Sequence, residues 1–267
     1  MKKFQNVLLA SDYDGTLYDE NGEITPQVRQ AIGYFIQNGG RFTVSTGRTQ
    51  HGFHAYDSSY INAPVLLANG AMAYDYATGQ IVFERPLGTE IIPVIRAVRE
   101  TFPDTSVEFF PHEGGYILHD SPTSQEHFQV LQMPVRVIEK PEDADPPWAK
   151  VMFFSPAESS AIQRFLTERF PWVKYLPTTG RYVEMLQQGV DKGAGLFALA
   201  DALGIAHQDC YAVGDGENDV HMIRAAAIGF VPANGSEMAK QAADRIVRPN
   251  TDGTVAHVIE ILDELYQ

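Results

Sequence analysis

The sequence has 267 residues, of which 44% are hydrophobic and 20% charged, and its net charge is −14. This composition is typical of a globular protein with a sizeable core, and the acidic excess argues against a nucleic-acid or anionic-membrane partner. The single cysteine, Cys210, excludes an intrachain disulfide bond, and no apolar run approaches the ~20 residues that span a bilayer. Because the N-terminus also lacks the apolar core of a signal peptide, we expect a cytoplasmic protein. The expected oligomeric state is a monomer or a weak homodimer.

The N-terminal segment alternates strands with helices. Three short apolar runs are predicted strands: Val7–Ala10, Phe42–Ser45 and Val65–Ala68. Thr25 and Pro26 are typical N-cap and first-turn residues of a helix that should end at Gly39. An Asn-Gly pair within Asp19–Glu23 predicts a small hairpin or flap. The β-α-β-α-β order predicts parallel strands joined by right-handed crossovers.

From about Ala71 the pattern changes to short strands with antiparallel character. The predicted strands are Met72–Tyr74, Ile81–Glu84, Val107–Phe110, Gly115–Leu118, Val135–Ile138, Lys150–Phe154, Val173–Leu176 and Arg181–Leu186. Two helices are expected, at Thr89–Thr101 and Ala157–Phe170. We expect residues 86–187 to form an inserted α+β domain.

The alternation of strands and helices resumes at Gly189. The predicted elements are helices at Asp191–Leu203, Val220–Ala226, Ser236–Ala243 and Thr254–Leu265, and strands at Cys210–Val213, Ile228–Val231 and Ile246–Val247. The sequence therefore predicts an α/β fold, in which residues 1–85 and 188–267 form a Rossmann-like, doubly wound parallel sheet around the α+β insertion.

The predicted parallel strands end in polar or small residues. These residues are Asp12 and Asp14 after the first strand, Thr46, Gly47 and Arg48 after the second, and Asn69 and Gly70 after the third. Ligands bind at the carboxyl ends of the strands in open α/β sheets, so we expect these groups to meet at one edge.

The two aspartates after the first strand suggest a catalytic or metal-binding pair. If the strand continues, Asp12 and Asp14 lie on one face, where each raises the pKa of the other unless a cation lies between them. A carboxylate can attack phosphorus, and a second carboxyl group can protonate the leaving group and later activate water. A simple Asx turn explains the same residues equally well.

Three further features follow the same strand ends and helix starts. The hydroxyl of Thr46 can donate to a phosphoryl oxygen or cap the backbone. Lys192 begins a helix, where its charge opposes the helix dipole; it either binds an anion or is a solvated surface lysine. The oxygen-rich run Asp215-x-x-Asn218-Asp219 suits Mg²⁺, although a turn followed by an Asp-capped helix is the alternative.

The order of these four features, with a large insertion between the second and third, resembles the haloacid dehalogenase-like hydrolase superfamily. It is most similar to the Cof-type phosphatases of sugar and cofactor phosphates. The motifs lie within residues 1–85 and 188–267, and the insertion resembles the family's cap only in size, place and α+β character.

The resemblance implies a Mg²⁺-dependent phosphatase of small phosphate monoesters that forms an aspartyl-phosphate on Asp12. Asp14 would be the general acid and base, and Thr46 and Lys192 would orient and neutralise the phosphoryl group. The implied metal-binding residues are Asp12, Asp14 (through its carbonyl), Asp215, Asn218 and Asp219. The implied substrate-binding residues are Thr46, Gly47, Arg48, Asn69, Lys192 and Asn218. In the cap, Lys150, Arg181 and Glu184 are candidates that the sequence does not separate from ordinary surface charges.

Other functions fit parts of the pattern. Phosphoryl transfer to a second substrate, as in a phosphomutase, uses the same residues. A receiver-like regulatory module would be phosphorylated on Asp12 and keep the phosphoryl group, which an acid and base at Asp14 disfavours. Dehalogenation is disfavoured, because it needs neither Mg²⁺ nor that acid. A metal-dependent binding protein without catalysis is the remaining alternative.

Overall fold

A computed structural model of the chain describes residues 2–18, 22–53, 58–178 and 180–267. The chain divides into two units. The first comprises Met1–Gly47, Ala55–Phe83 and Asp191–Gln267, and the second comprises Arg48–His54 and Glu84–Val190. Three residues of the predicted flap, Asp19, Glu20 and Asn21, lie outside the described residues.

The secondary structure is divided among many short elements. The strands are β1 (Leu8–Ser11), β2 (Arg41–Val44), β3 (Val65–Leu67), β4 (Met72–Asp75), β5 (Gln80–Glu84), β6 (Ser106–Phe110), β7 (Gly115–Leu118), β8 (Val135–Ile138), β9 (Lys150–Phe154), β10 (Lys174–Thr178), β11 (Tyr182–Leu186), β12 (Cys210–Val213), β13 (Ile228–Pro232) and β14 (Arg245–Val247). The α-helices are α1 (Pro26–Gln37), α2 (Ile92–Thr101), α3 (Pro122–Val130), α4 (Ser159–Arg169), α5 (Lys192–Leu203), α6 (Val220–Ala225), α7 (Glu237–Ala242) and α8 (Thr254–Leu265). In the part of the chain that the structure describes, no helix is both long and apolar enough to cross a membrane.

A parallel sheet of five strands, in the order β14-β13-β12-β1-β2, is the centre of the first unit. The buried strand β1 lies between β2 and β12, with Leu8 opposite Arg41 on one side and Cys210 on the other. From β1 the chain moves first to β2 and later to β12 on the opposite side, so the winding direction changes between β1 and β12. Such a switch point is where open α/β sheets bind ligands.

Helices cover both faces of this sheet. Alternate residues of β1 and β12, such as Leu8 and Cys210, pack with Leu196 of α5 and Met222 of α6. On β12 the next residue, Tyr211, points to the opposite face, where its hydroxyl lies 2.9 Å from that of Tyr266, just after α8. The predicted α/β, doubly wound fold is confirmed.

The connection from β2 to β3 differs from the prediction. Its described residues contain only short 3₁₀ turns, at His51–Phe53 and Ser58–Tyr60, so the second helix of the β-α-β-α-β pattern is wrong for them. Gly52 and Pro64 are poor helix formers. Strand β3 meets the parallel sheet at a single bridge, Ser45 to Leu66, and otherwise belongs to a separate sheet of order β3-β4-β5. A left-handed turn after β3 sends the chain directly back as β4, which provides an antiparallel partner close in sequence.

The second unit is an α+β structure built on a six-stranded sheet of order β10-β11-β9-β6-β7-β8. Its pairs are antiparallel except β7 with β8. Helix α3 connects β7 to β8 and supplies the long crossover that a parallel pair needs, but it was not among the predicted helices. Its N-cap is Ser121, whose hydroxyl accepts a hydrogen bond from the Ser124 amide at 3.1 Å.

Two of the three candidate charges in this unit are buried. Lys150 Nζ donates to Glu184 Oε2 at 2.9 Å, and both residues are buried within the sheet. Arg181 is exposed. The alternative of an ordinary surface charge is therefore wrong for Lys150 and Glu184.

Candidate active site

The ends of β1 and β12 bring the first and last predicted motifs together. The Asp12 amide continues the pairing beyond β1 and donates to the Val213 carbonyl at 2.8 Å. The next residues after β12 are Gly214 and Asp215. The two acidic motifs therefore lie side by side at the switch point of the sheet.

The two aspartates of the first motif have different surroundings. β1 ends at Ser11, so the strand geometry that would place Asp12 and Asp14 on one face does not apply. Asp12 is only 8% exposed, whereas Asp14 is exposed in a wide turn that the Tyr18 amide closes onto the Tyr13 carbonyl at 3.2 Å. One carboxyl group is thus held inside the site, and the other is open to solvent.

Gly15 allows this turn to approach the second motif. Its φ is +83°, and a Cβ at this position would lie 2.7 Å from Asp215 Oδ2. Glycine is therefore required both by the backbone conformation and by the closeness of Asp215. The Asn234 side chain fixes the turn from another loop, since its amide donates to the Gly15 carbonyl at 3.0 Å.

Lys192 is enclosed between two carboxylates. It is fully buried, and its Nζ lies 2.5 Å from Asp12 Oδ1 and 2.5 Å from Asp219 Oδ1. The alternative of a solvated surface lysine is wrong. Its helix can begin here because Asp191 caps α5, accepting from the Ala194 amide at 2.9 Å.

The two carboxylates that bind Lys192 belong to a cluster of three. Asp12, Asp215 and Asp219 each offer a carboxylate oxygen within 4.8 Å of the others. The Thr16 hydroxyl donates to Asp215 Oδ1 at 2.7 Å, and the Gly216 amide donates to Asp219 Oδ2 at 2.8 Å. Three carboxylates and one ammonium leave an excess of two negative charges, and an all-oxygen donor set with that excess fits a divalent cation such as Mg²⁺.

The electrostatics of these groups agree with that fit. Burial, with the nearby charge of Asp219, raises the pKa of Asp12 well above its usual value, although Lys192 opposes the shift. Burial likewise raises the pKa of Asp215, against the hydrogen bond from Thr16. Burial by itself would lower the pKa of Lys192, but Asp12 and Asp219 outweigh it and raise that pKa. The lysine thus stays charged, while Asp12 and Asp215 need a further positive charge to ionise easily.

Thr46, Gly47, Asn69 and Asn218 lie together in the first unit. Thr46 is buried, and its carbonyl accepts from the Asn69 amide at 2.9 Å. The Asn218 side-chain amide donates to Asn69 Oδ1 at 3.0 Å, and a Cβ on Gly47 would lie 3.3 Å from that Asn69 side chain.

Arg48, the remaining predicted residue, belongs to the second unit, where its guanidinium donates to the Gly52 carbonyl at 3.4 Å. Sequence reasoning missed the part of Thr16. The residue ends the first motif, Asp12-x-Asp14-Gly15-Thr16, but it was given no role, and a hydroxyl four residues after the first aspartate was the available signal.

The sequence matches known proteins along nearly its whole length. The profile of the haloacid dehalogenase-like hydrolases matches residues 9–259. YxeH of Bacillus subtilis, whose name suggests a phosphatase without giving a substrate, is 28% identical over 273 aligned residues, which cover 96% of this chain and 97% of YxeH.

Solved structures share the fold. A HAD/COF-like hydrolase from Plasmodium vivax has a TM-score of 0.81 at 23% identity, covering 97% of this chain and 95% of its own. BT4131, a HAD subclass IIB sugar phosphatase, has a TM-score of 0.83 at 18% identity, covering 96% and 98%. The resemblance inferred from the motifs is confirmed for both family and fold: the chain belongs to the haloacid dehalogenase-like hydrolases and is an enzyme of that family.

Proposed function

We propose that this phosphatase, a phosphoric monoester hydrolase of its family, acts on small phosphate monoesters with Mg²⁺ and through a phosphoryl group carried on Asp12. The observation that carries the proposal is Lys192, fully buried and 2.5 Å from both Asp12 and Asp219, beside the third carboxylate, Asp215. The buried ammonium supplies one positive charge, and a cation bound by the three carboxylates would supply more. Together these charges can hold a phosphate anion in an acidic protein.

The proposed metal-binding residues are Asp12, Asp215, the Asp14 carbonyl, Asn218 and Asp219. When bound, Mg²⁺ would neutralise charge on the carboxylates and the phosphoryl group. Thr46 and Lys192 orient that group, with Gly47, Arg48, Asn69 and Asn218 proposed to line the substrate site. Phosphoryl transfer depends mainly on such positioning and charge neutralisation.

The chain's own groups then perform two displacements. In the first, a carboxylate oxygen of Asp12 forms a bond to phosphorus while the bond to the leaving oxygen breaks, and Asp14 gives that oxygen its proton. In the second, Asp14 takes a proton from water, whose oxygen attacks phosphorus and breaks the bond to Asp12. The exposure of Asp14 suits a group that must exchange protons between the steps.

Sugar phosphates and phosphorylated cofactors are the proposed substrates. The fold shared with the sugar phosphatase BT4131 is in keeping with the first class. We also propose a cytoplasmic enzyme that is a monomer or weak homodimer and whose second unit, the predicted cap, selects the leaving group.

Phosphate release with and without Mg²⁺ tests the proposal, on sugar phosphates, pyridoxal phosphate, flavin mononucleotide and p-nitrophenyl phosphate. Asp12→Asn should lower turnover by at least about 10³-fold, because it removes the nucleophile. Asp201→Asn is the matched control, since that exposed carboxylate pairs with His207, just beyond the end of α5, and not with a residue of the site. Comparable turnover by Asp12→Asn would refute the nucleophile.

Asp14→Asn separates the two displacements. p-Nitrophenolate leaves without a proton, so the first displacement, on p-nitrophenyl phosphate, should keep its rate in this variant. The second displacement, the attack of water on the phosphoryl group, should slow by about 10²–10⁴-fold. We expect a burst of p-nitrophenol followed by slow turnover, and a strong loss on sugar phosphates from the start. Equal losses on both substrates without a burst would contradict the role of Asp14.

A further inference from the structure

Three consecutive residues after β3 adopt left-handed backbone conformations. The φ angles of Ala68, Asn69 and Gly70 are +48°, +54° and +91°. Residues with a Cβ lose about 1–2 kcal/mol in this region, and asparagine is among the few that enter it readily. The turn is buried, with Asn69 only 4% exposed. Strain of this kind persists where the surrounding structure fixes it, often at functional sites.

The turn is attached to the Thr46 motif. The Thr46 amide donates to the Leu66 carbonyl and the Thr46 carbonyl accepts from the Asn69 amide, both at 2.9 Å. The Asn69 side chain lies against Gly47, where even a methyl group would be 3.3 Å away. The small residue after Thr46 therefore leaves the space that the Asn69 side chain occupies.

The same turn meets the helix of Lys192. A Cβ on Gly70 would lie 2.4 Å from the Asp191 carbonyl, and a Cβ on Gly195 would lie 2.7 Å from Gly70 Cα. Only glycine on both sides allows this approach of the backbones. The first turn of α5, which carries Lys192, thus rests directly on the turn after β3.

The Asn69 side chain reaches the acidic loop. Its Oδ1 accepts from the Asn218 amide at 3.0 Å, and Asn218 lies between Asp215 and Asp219 in sequence. The two aspartates of the loop have attachments of their own: the Thr16 hydroxyl donates to Asp215 Oδ1 at 2.7 Å, and Lys192 Nζ donates to Asp219 Oδ1 at 2.5 Å. The Ser236 amide also donates to the Asp215 carbonyl at 2.8 Å. Asn69 and Asn218 are 149 residues apart in sequence. Their hydrogen bond thus joins the acidic loop to the Thr46 motif.

We propose that Asn69 is a positioning residue: its Oδ1 holds Asn218, and through it the 215–219 loop, in the arrangement that binds the metal. The proposal rests on the proposed function for the identity of the cation. On this proposal the main role of Asn69 is to hold Asn218, and direct substrate binding is secondary. Residues that support metal ligands in this way typically contribute tenfold to 100-fold to metal affinity or activity.

Asn69→Gly tests the proposal, because glycine accepts the positive φ but lacks the acceptor. We expect amide hydrogen exchange across residues 214–220 to be faster in the metal-free variant, and Mg²⁺ affinity to be about tenfold weaker by calorimetry. Asn6→Gly is the matched control, since Asn6 is an exposed asparagine with a φ of +68°; it should alter neither measurement.

Two further variants decide between the alternatives. Asn69→Asp keeps the acceptor and should restore slow exchange, and with its added negative charge it should bind Mg²⁺ at least as tightly as the natural protein. Asn218→Ala removes the same bond from its other end, and the Asn69→Gly/Asn218→Ala pair should be no worse than Asn218→Ala alone.

An unchanged exchange rate and an unchanged affinity in both Asn69→Gly and Asn218→Ala would overturn the proposal. So would a raised KM for p-nitrophenyl phosphate in Asn69→Gly at saturating Mg²⁺ without any change in the exchange of the loop, since that result indicates a direct contact with the substrate. The exchange measurement uses neither metal nor substrate, so it stands even if no ester is hydrolysed.

Discussion

Replacement of Lys192 by methionine should destabilise the first unit strongly and make its stability depend on Mg²⁺. The side chain is fully buried, and its removal raises the excess charge of the pocket from two negative charges to three. Removing one partner of a buried ion pair costs about 3–5 kcal/mol, which corresponds to a fall in Tm of roughly 6–20 °C for a unit of this size.

Mg²⁺ should recover part of this loss. A ligand at 100 times its Kd adds about 2.7 kcal/mol of stability, and the more negative pocket of the variant has more repulsion for the cation to relieve. Thermal unfolding followed by circular dichroism with and without Mg²⁺ measures both effects. The Mg²⁺-dependent rise in Tm should be larger in Lys192→Met than in the natural protein.

Lys150→Met is the matched control for this experiment. Lys150 also forms a buried pair, 2.9 Å from Glu184, but in the second unit. It should lower stability without enlarging the response to Mg²⁺. If Lys192→Met lowers the Tm by less than about 2 °C, or if both variants respond equally to Mg²⁺, then Lys192 does not neutralise the carboxylates of the pocket as proposed.

Three other outcomes follow from the site and its surroundings. Because the pKa values of Asp12 and Asp215 are raised, protons should compete with the cation, and calorimetry should show Mg²⁺ affinity at least about tenfold weaker at pH 5 than at pH 7.5; a flat profile would contradict the shifts. Gly15→Ala should weaken Mg²⁺ affinity by about tenfold, since its Cβ would lie 2.7 Å from Asp215 Oδ2, whereas Gly204→Ala, at a φ of +68° with no described atom within 4 Å, should only lower the Tm. Burial raises the pKa of the Cys210 thiol to about 11, so the folded protein should react with a disulfide reagent at pH 8 far more slowly than the protein unfolded in urea, and rapid native labelling would refute the buried assignment.

The strand ends carried most of the information that the sequence held about the site. Asp12, Thr46 and Asp215 each follow a short apolar run, and the α/β pattern was enough to predict that they meet at one edge. The sequence did not determine what Lys192 touches, because the burial of a helix-start lysine depends on the packing of α5 against Gly70. The bond between Asn69 and Asn218 was beyond prediction for the same reason.

The errors in the fold prediction also have physical causes. Helix α3 was missed because its apolar residues are few and its buried positions include Ser124 as well as Phe128, which hides the 3.6-residue period. The predicted helix between β2 and β3 assumed that every parallel connection is a full crossover. There β3 makes a single bridge to the parallel sheet and finds its main partner in β4.

The pairing of β1 with β12 determines when the enzyme acquires its chemistry during synthesis. β1, α1 and β2 are contiguous and can associate as soon as they emerge, since domains tend to fold from the N-terminus during translation. Thr16 and the Asp215 that it holds are 199 residues apart, and the whole second unit is made between them. The nascent chain therefore displays Asp12 long before its partners exist, and only a nearly finished polypeptide can gather the acid pocket around Lys192.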